Sequence, residues 1–369
     1  METRLKITDE EGSHKVELLL GDAAVSSMHI NDLEVKIGNT YLKMGGIGGV
    51  GTLEEHRMKG YSRRVMDYSI EYMRNNGYDI SMLFGIPEYY SKWGYVSTLA
   101  EYKIRVPIRN AERAKPGLHA RPMGEDDIEP ILAIYERSNL FQTGPVRRET
   151  GKWLKFRKGS DWRIPADGTV FEDNTGRVVS YYASDRWPRV VRITEVGSVE
   201  PRFYENMLRH MSDIAIQKRA TELEIFVPFD HEFANLCKRM GCTISTEYHY
   251  DAMGMGRIID LTKAMSKLMP LLSQRLIKAD RTSMPSRLSI RTDMGNFTID
   301  TRGLLSFGEE PSVDWVELPQ YVLMQLMLGY RTVDDVLADP RTRTEGNTAQ
   351  VLKAIFPSGH PYIWLADWF

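Results

Sequence analysis

Short apolar runs separated by turn residues fill the first fifty positions. His14-Lys15-Val16-Glu17-Leu18-Leu19-Leu20, Val25-Ser26-Ser27-Met28-His29-Ile30 and Leu33-Glu34-Val35-Lys36-Ile37 have the make-up of strands. Gly21-Asp22, Asn31-Asp32 and Gly38-Asn39 sit between them as turns. The pattern predicts an antiparallel meander that runs into a fourth strand near Tyr41 to Thr52. From Tyr61 to Asn75 the period changes: Tyr61, Val65, Met66, Tyr68, Ile70 and Met73 fall on one helical stripe, and Gly77 stops it. A short buried strand (Ile80 to Phe84), a short helix (Tyr89 to Trp93) ended by Gly94, and a further strand from Tyr95 follow.

Arg109 to Gly117, RNAERAKPG, is polar, holds Pro and Gly, and suits a linker. Beyond it the pattern predicts a helix over Asp126 to Ser138 and strands at Val190 to Val196 and Glu222 to Val227 with a helix between them. A strand and helix follow in RIIDLTKAMSKLMPLL, then a hairpin of Leu288 to Arg291 with Asn296 to Ile299. Helices at Val322 to Gly329 and Val333 to Leu337 precede an apolar tail, PYIWLADWF. Three regions result: 1–115, 116–255 and 256–369.

The first two regions echo each other. GVGTLEE (Gly49 to Glu55) aligns with EVGSVEP (Glu195 to Pro201), Leu83-Phe84 with Ile225-Phe226, and YYSKWGY (Tyr89 to Tyr95) with LCKRMGC (Leu236 to Cys242). The second copy is shorter: 33 positions separate Gly51 from Phe84, and 29 separate Gly197 from Phe226. The shortening falls at the strand-to-helix turn, which in the first copy is His56-Arg57-Met58-Lys59-Gly60-Tyr61-Ser62. Tyr90 in the first copy faces Cys237 in the second.

Charge narrows the partners. With 48 Lys and Arg against 50 Asp and Glu, the formal net charge is -2, so no bulk positive field is present to hold a nucleic acid or an anionic membrane. The balance of 42% hydrophobic and 27% charged residues is that of a globular chain. Two cysteines, Cys237 and Cys242, are too few for a zinc site or a disulfide framework, and the eight histidines show no metal-ligand spacing, so no metal is expected. No run near 18 apolar residues occurs, and the charged start METRLKITDEEGSHK is unlike a signal peptide. A soluble, cytoplasmic protein is expected.

A strand running into R-x-x-G-x-S at a helix start is suited to an anion. Gly60 permits a tight turn, the first N–H groups of the helix point at one spot, and the helix dipole favours negative charge there. Arg57, Lys59 and Arg63 add positive charge; a plain turn with solvated basic residues is the alternative. The meander, V-G-T-(x)4-R-x-x-G-x-S, the helix and Y-x-x-W-G-Y together resemble the GNAT N-acetyltransferase superfamily. Two tandem units with a degenerate second loop, a third region and an aromatic last residue resemble its Eis (enhanced intracellular survival) family. The resemblance is strongest over Val35 to Tyr95.

It implies an α/β (α+β) fold: two tandem GNAT-like mixed-sheet units, the first catalytic and the second degenerate, and a C-terminal sterol-carrier-protein-like α/β domain. It implies acetyl-CoA as co-substrate, a homo-oligomer, and transfer of acetyl to a primary amine of a small molecule (aminoglycoside-like or a polyamine) or a peptide lysine by direct attack in a ternary complex. By similarity, Val50, Gly51 and Thr52 present main-chain groups to the acetyl and pantetheine portion. Arg57, Met58, Lys59, Gly60, Tyr61, Ser62 and Arg63 form the pyrophosphate loop, and Gly85 and Ile86 lie beside the coenzyme. Tyr90 holds the family's general-acid position: a phenol of pKa ~10 is protonated at neutral pH and can donate to the leaving thiolate. A core aromatic is the other reading of Tyr90. The last residue, Phe369, supplies a terminal carboxylate as general base, or a hydrophobic tail that only closes a core. Superfamily members have a first strand and one or two helices before the meander; only about fourteen residues precede it here. The resemblance therefore implies a truncated start or a more open acceptor pocket. A non-catalytic protein that senses acetyl-CoA or carries an apolar ligand is the competing reading.

Overall fold

The computed structural model describes residues 2–156, 159–161, 163–300, 304–307 and 312–369. The chain forms two compact units. One holds Met1–Leu99, His249–Pro361 and Phe369, the other Ala100–Tyr248 and Tyr362–Trp368.

In the first unit the meander is longer than its sequence pattern predicts. It comprises β1 (Thr3–Glu10), β2 (Ser13–Leu20), β3 (Ala23–Ile37) and β4 (Thr40–Thr52), and leads through α1 (Tyr61–Asn75) and β5 (Ile80–Gly85) to β6 (Val96–Ser97). Two expectations are corrected. The residues before His14 form an edge strand, β1, in which Leu5 and Ile7 pack on the core while the intervening side chains are polar. The predicted turn at Asn31-Asp32 lies inside the 15-residue β3, because both polar side chains find partners in the sheet. The Asn31 amide donates to the Gly46 carbonyl at 2.9 Å, and the Tyr78 hydroxyl donates to Asp32. The sheet runs β1-β2-β3-β4-β5, then the Met253–Ile258 strand, then β6. All neighbouring pairs are antiparallel except β4 and β5.

One face of this sheet is covered by α1. Val65, Met66, Ile70 and Met73 from the helix meet Val16, Leu18, Met28, Ile30, Ile47 and Leu83 from the strands in one buried cluster. Period-2 alternation then commits residues 27, 29, 31 and 33 of β3 to the other face. The rest of the unit carries a five-stranded sheet built on the Arg287–Thr292 and Gly295–Asp300 hairpin, with helices Leu261–Lys278, Gln320–Leu328, Val333–Leu337 and Ala349–Ile355.

The second unit repeats the central pattern. Strand Val191–Ser198 pairs in parallel with Glu222–Ile225, and helix Tyr204–Gln217 lies between them in sequence. Its seven-stranded sheet also contains Glu101–Pro107 and the hairpin Ala166–Glu172 with Val178–Asp185. The position aligned with Gly49 is Glu195, fully buried in a bidentate pair with Arg148 (2.7 and 2.6 Å), and Arg148 also meets Asp367 at 2.9 Å. Among the described residues, no helix is long and apolar enough to cross a membrane.

Candidate active site

The site begins where β4 and β5 part. Their parallel pairing runs from Met44 with Ile80 to Ile47 with Leu83 and stops, although β4 continues to Thr52 and β5 to Gly85. On the other side, the β3–β4 register passes from His29 with Gly48 to Ser27 with Gly51. The register skips Gly49 and Val50, which form a bulge in β4 opposite Met28 and lie beyond the end of the β4–β5 pairing. Gly51 and Thr52 are held by Ser26, whose hydroxyl donates to the Gly51 carbonyl (3.0 Å) and meets the Thr52 hydroxyl (2.8 Å).

Beyond Thr52 the chain makes one 3-10 turn, Glu54–His56, and reaches α1 through Arg57, Met58, Lys59 and Gly60. Gly60 sits just before the helix at φ 75°, a left-handed conformation that a side chain makes costly. The first helical backbone bond runs from the Arg64 N–H to the Gly60 carbonyl. The N–H groups of Tyr61, Ser62 and Arg63 thus have no acceptor within the helix. No side chain caps this end and no acidic residue lies in its first turn, so its positive dipole end is uncompensated. Met58, at φ 62°, is fully exposed, and Lys59 and Arg63 are exposed as well. Arg57 and Lys59 partly fold back on the loop: the Arg57 Nε donates to the Thr52 carbonyl (3.4 Å) and the Lys59 ammonium to the Glu55 carbonyl (2.9 Å). His56 packs near Tyr61, and its buried Nδ1 has no partner among the described residues.

Tyr89 and Tyr90 stand edge-to-face at the β5 end of the gap, ring centroids 4.9 Å apart. The Tyr89 hydroxyl meets Ser62 Oγ in the first turn of α1, a link that sequence spacing did not suggest. Tyr90 is 8% exposed, and its ring covers Gly85: a Cβ there would lie 2.5 Å from Tyr90 Cδ2. Burial, with a smaller contribution from Tyr89, pushes the Tyr90 phenol up to about 12. Its hydroxyl makes no hydrogen bond among the described residues. Ile86, next along, is exposed.

Phe369 lies on the opposite face. Its ring is 5.4 Å from that of Phe84, and it occupies the space that side chains on Gly46 and Gly48 would need. A Cβ on Gly48 would sit 2.9 Å from the Phe369 carbonyl carbon and 3.4 Å from Asn31 Nδ2. His29 fills the equivalent space at Gly49, its Nδ1 3.0 Å from that Cβ position. Sequence reasoning passed over His29, Asn31 and Glu10; the alternation of apolar residues in β1 and β3 was the available signal.

The corresponding turn of the second unit differs in each of these features. Pro201–Phe203 enters the helix without a glycine, Glu205 lies in its first turn, and Cys237 on the helix Glu232–Met240 is fully buried. An acid at that helix end opposes an anion, and burial pushes the Cys237 thiol up.

Residues 9–98 match the family described as acetyltransferase (GNAT) domain. No curated protein matches the chain. Three similar solved structures are informative. A conserved protein from Enterococcus faecalis, described as a probable N-acyltransferase, is 16% identical with a TM-score of 0.79 over 100% of both chains. A GCN5-related N-acetyltransferase from Anabaena variabilis is 15% identical, with a TM-score of 0.75 over 96% of this chain and 89% of that one. Eis1 from Mycobacterium abscessus is 13% identical, with a TM-score of 0.70 over 100% of both chains. Residues 9–98 thus carry the match to the acetyltransferase (GNAT) domain, and the chain shares its fold with proteins described as N-acetyltransferases.

Proposed function

We propose that this protein transfers the acetyl group of acetyl-CoA to a primary amine at the first sheet, as a member of the Eis family. The observation that carries the reading is the gap between β4 and β5, flanked by the uncapped N–H groups of Tyr61, Ser62 and Arg63. An extended pantetheine arm fits as a pseudo-strand along the main chain of Gly49 and Val50, where the β4–β5 pairing has ended, continuing past Gly51 and Thr52. The diphosphate sits on the Arg57-to-Arg63 loop. Gly85 and Ile86 line the other side of the arm.

The amine attacks the thioester carbonyl directly, a C–N bond forms and the C–S bond breaks. The Val50 N–H is placed to stabilise the developing oxyanion. Tyr90 donates a proton to the leaving sulfur; burial keeps that phenol protonated at neutral pH. The terminal carboxylate of Phe369, ionised near neutrality, takes a proton from the amine on the opposite side of the sheet. The acceptor is a small-molecule amine, of aminoglycoside or polyamine type, or a peptide lysine. The second unit, whose turn lacks the glycine and the Tyr90 equivalent, binds no coenzyme. Residues 256–369 form a sterol-carrier-protein-like domain, and the chain works as a homo-oligomer.

Thiol release from acetyl-CoA in the presence of a panel of amines tests the proposal. Release that depends on the amine and yields an acetylated product supports it. Absence of transfer to aminoglycosides, polyamines and lysine peptides alike, together with an apolar ligand extracted from the purified protein, supports a carrier instead.

A further inference from the structure

The acceptor nitrogen has two protons to lose, and one of them must leave the protein. At neutral pH a primary amine enters as an ammonium and leaves as an amide, so its nitrogen gives up two protons. One balances the thiol formed on coenzyme A, whose sulfur receives its proton from Tyr90; the other must reach solvent. An α-carboxylate of ordinary affinity (pKa ~3.5) is a weak sink for a proton from an ammonium of pKa ~10, whereas imidazole at ~6.5 is closer and exchanges readily with water.

His29 stands where such a group is needed. It is on the sheet face that carries Phe369, and Nδ1 abuts the β4 bulge at Gly49, whose φ of 60° and missing side chain leave room for the ring. Its Nε2 faces Glu10 Oε2 on β1 at 3.6 Å. It is about one-third exposed, so one nitrogen addresses the bulge and the other the outer edge of the sheet. The remaining charged groups facing it are accounted for. Lys15, its direct partner on β2, is paired with Glu17 at 2.7 Å, and Gly48 and Gly49 on β4 carry no side chain. The Phe369 carbonyl carbon lies at Gly48. Glu10 is thus the carboxylate that His29 Nε2 faces.

We infer that His29, backed by Glu10, is the proton exit of the acceptor side: it takes the ammonium proton, through water or from the Phe369 carboxylate, and passes it to solvent. This rests on the acetyl-transfer reading above. In the balanced step, the nitrogen lone pair forms the C–N bond and the C–S electrons go to sulfur. Sulfur takes the Tyr90 proton, the second proton of the nitrogen returns to the Tyr90 phenolate through water, and one net proton leaves by His29.

The test uses the full chain with acetyl-CoA and an amine on which it is active, comparing wild type with His29→Gln, His29→Ala, Glu10→Gln and Tyr90→Phe. His29→Gln is expected to lose about 100-fold in kcat, leave the KM for acetyl-CoA within about twofold, and remove the acidic limb of the pH profile. Added imidazole should restore part of the His29→Ala rate, a rescue that a merely structural side chain does not give. Glu10→Gln, at the exposed edge, should move the acidic limb to lower pH. A wild type active on an amine and impaired by Tyr90→Phe, but unchanged in kcat and pH profile by His29→Gln, overturns this inference and leaves the acetyl-transfer reading standing. A wild type that acetylates no amine overturns both.

Discussion

Tyr90 and Phe369 lie on opposite faces of the first sheet, at the point where β4 and β5 part. Their contacts on β5 are one residue apart: Tyr90 covers Gly85, and Phe369 stacks near Phe84. Successive strand residues point to opposite faces, so this single step in sequence sets the Tyr90 ring on the α1 side and Phe369 on the other.

For Tyr90 the consequence is a kinetic split. Tyr90→Phe removes the proton donor but keeps the ring that packs on Gly85, so we expect kcat to fall about 100-fold or more while coenzyme A binding stays within about twofold. The alkaline side is equally specific. With the phenol pushed up to about 12, the donor stays protonated through pH 10, and the wild-type rate should not decline with a midpoint near 10. A decline there that is absent in Tyr90→Phe would contradict the raised pKa, whereas a Tyr90→Phe variant with unchanged kcat would contradict the role.

Gly60 tests the anion loop. A Cβ at this position meets nothing within 4 Å, so the cost of a side chain comes from the backbone alone, about 1–2 kcal/mol at φ 75°. Gly60→Val should therefore weaken coenzyme A binding by calorimetry without a large loss of packing. Gly60→Asn, which tolerates the left-handed region, should do so less. Equal affinity in all three would remove the loop from the binding site.

The second unit makes a prediction about stability. Arg148 is 2% exposed and holds two buried carboxylates, Glu195 and Asp367. Arg148→Met strands both, and should cost about 3–5 kcal/mol, read as a lower urea midpoint. Replacing all three by apolar residues of similar size should recover most of that loss. A single variant as stable as wild type would contradict a stabilising role for the Arg148 pairs.

His231 predicts how that unit responds to acid. It is fully buried, its Nδ1 accepts the Phe233 N–H at a helix start, and burial lowers its pKa to about 4. The folded pKa is below the unfolded value of 6.5, so between these values the unfolded chain binds the extra proton and stability falls as pH drops from 6.5 towards 4. The contribution at stake is about 3 kcal/mol. His231→Asn, which can still cap the helix, should flatten the pH dependence of the thermal midpoint over that window. An unchanged slope would mean that other groups set it.

Much of the site was legible because its signals are local. A glycine before a helical stripe marks the turn at Gly60, and the stripe from Tyr61 to Asn75 matches α1. The echo of YYSKWGY by LCKRMGC pointed to Tyr90 and Cys237, which the fold places on corresponding short helices. What escaped depends on partners distant in sequence. Asn31-Asp32 has the composition of a turn, and only the Gly46 carbonyl and the Tyr78 hydroxyl, supplied by other elements, make it strand. β1 is half charged and gains its apolar contacts only against the α1 core. His29 belongs to the same class: its setting is a bulge in a neighbouring strand, and a β3–β4 register that skips Gly49 and Val50 cannot be read from β3 alone.

The most direct measurement is amide hydrogen exchange of the full chain with and without saturating coenzyme A. The account predicts slowed exchange over residues 49–52 and 59–63, with residues 195–206 unchanged. No protection at the first turn, or protection at the second turn instead, would contradict it.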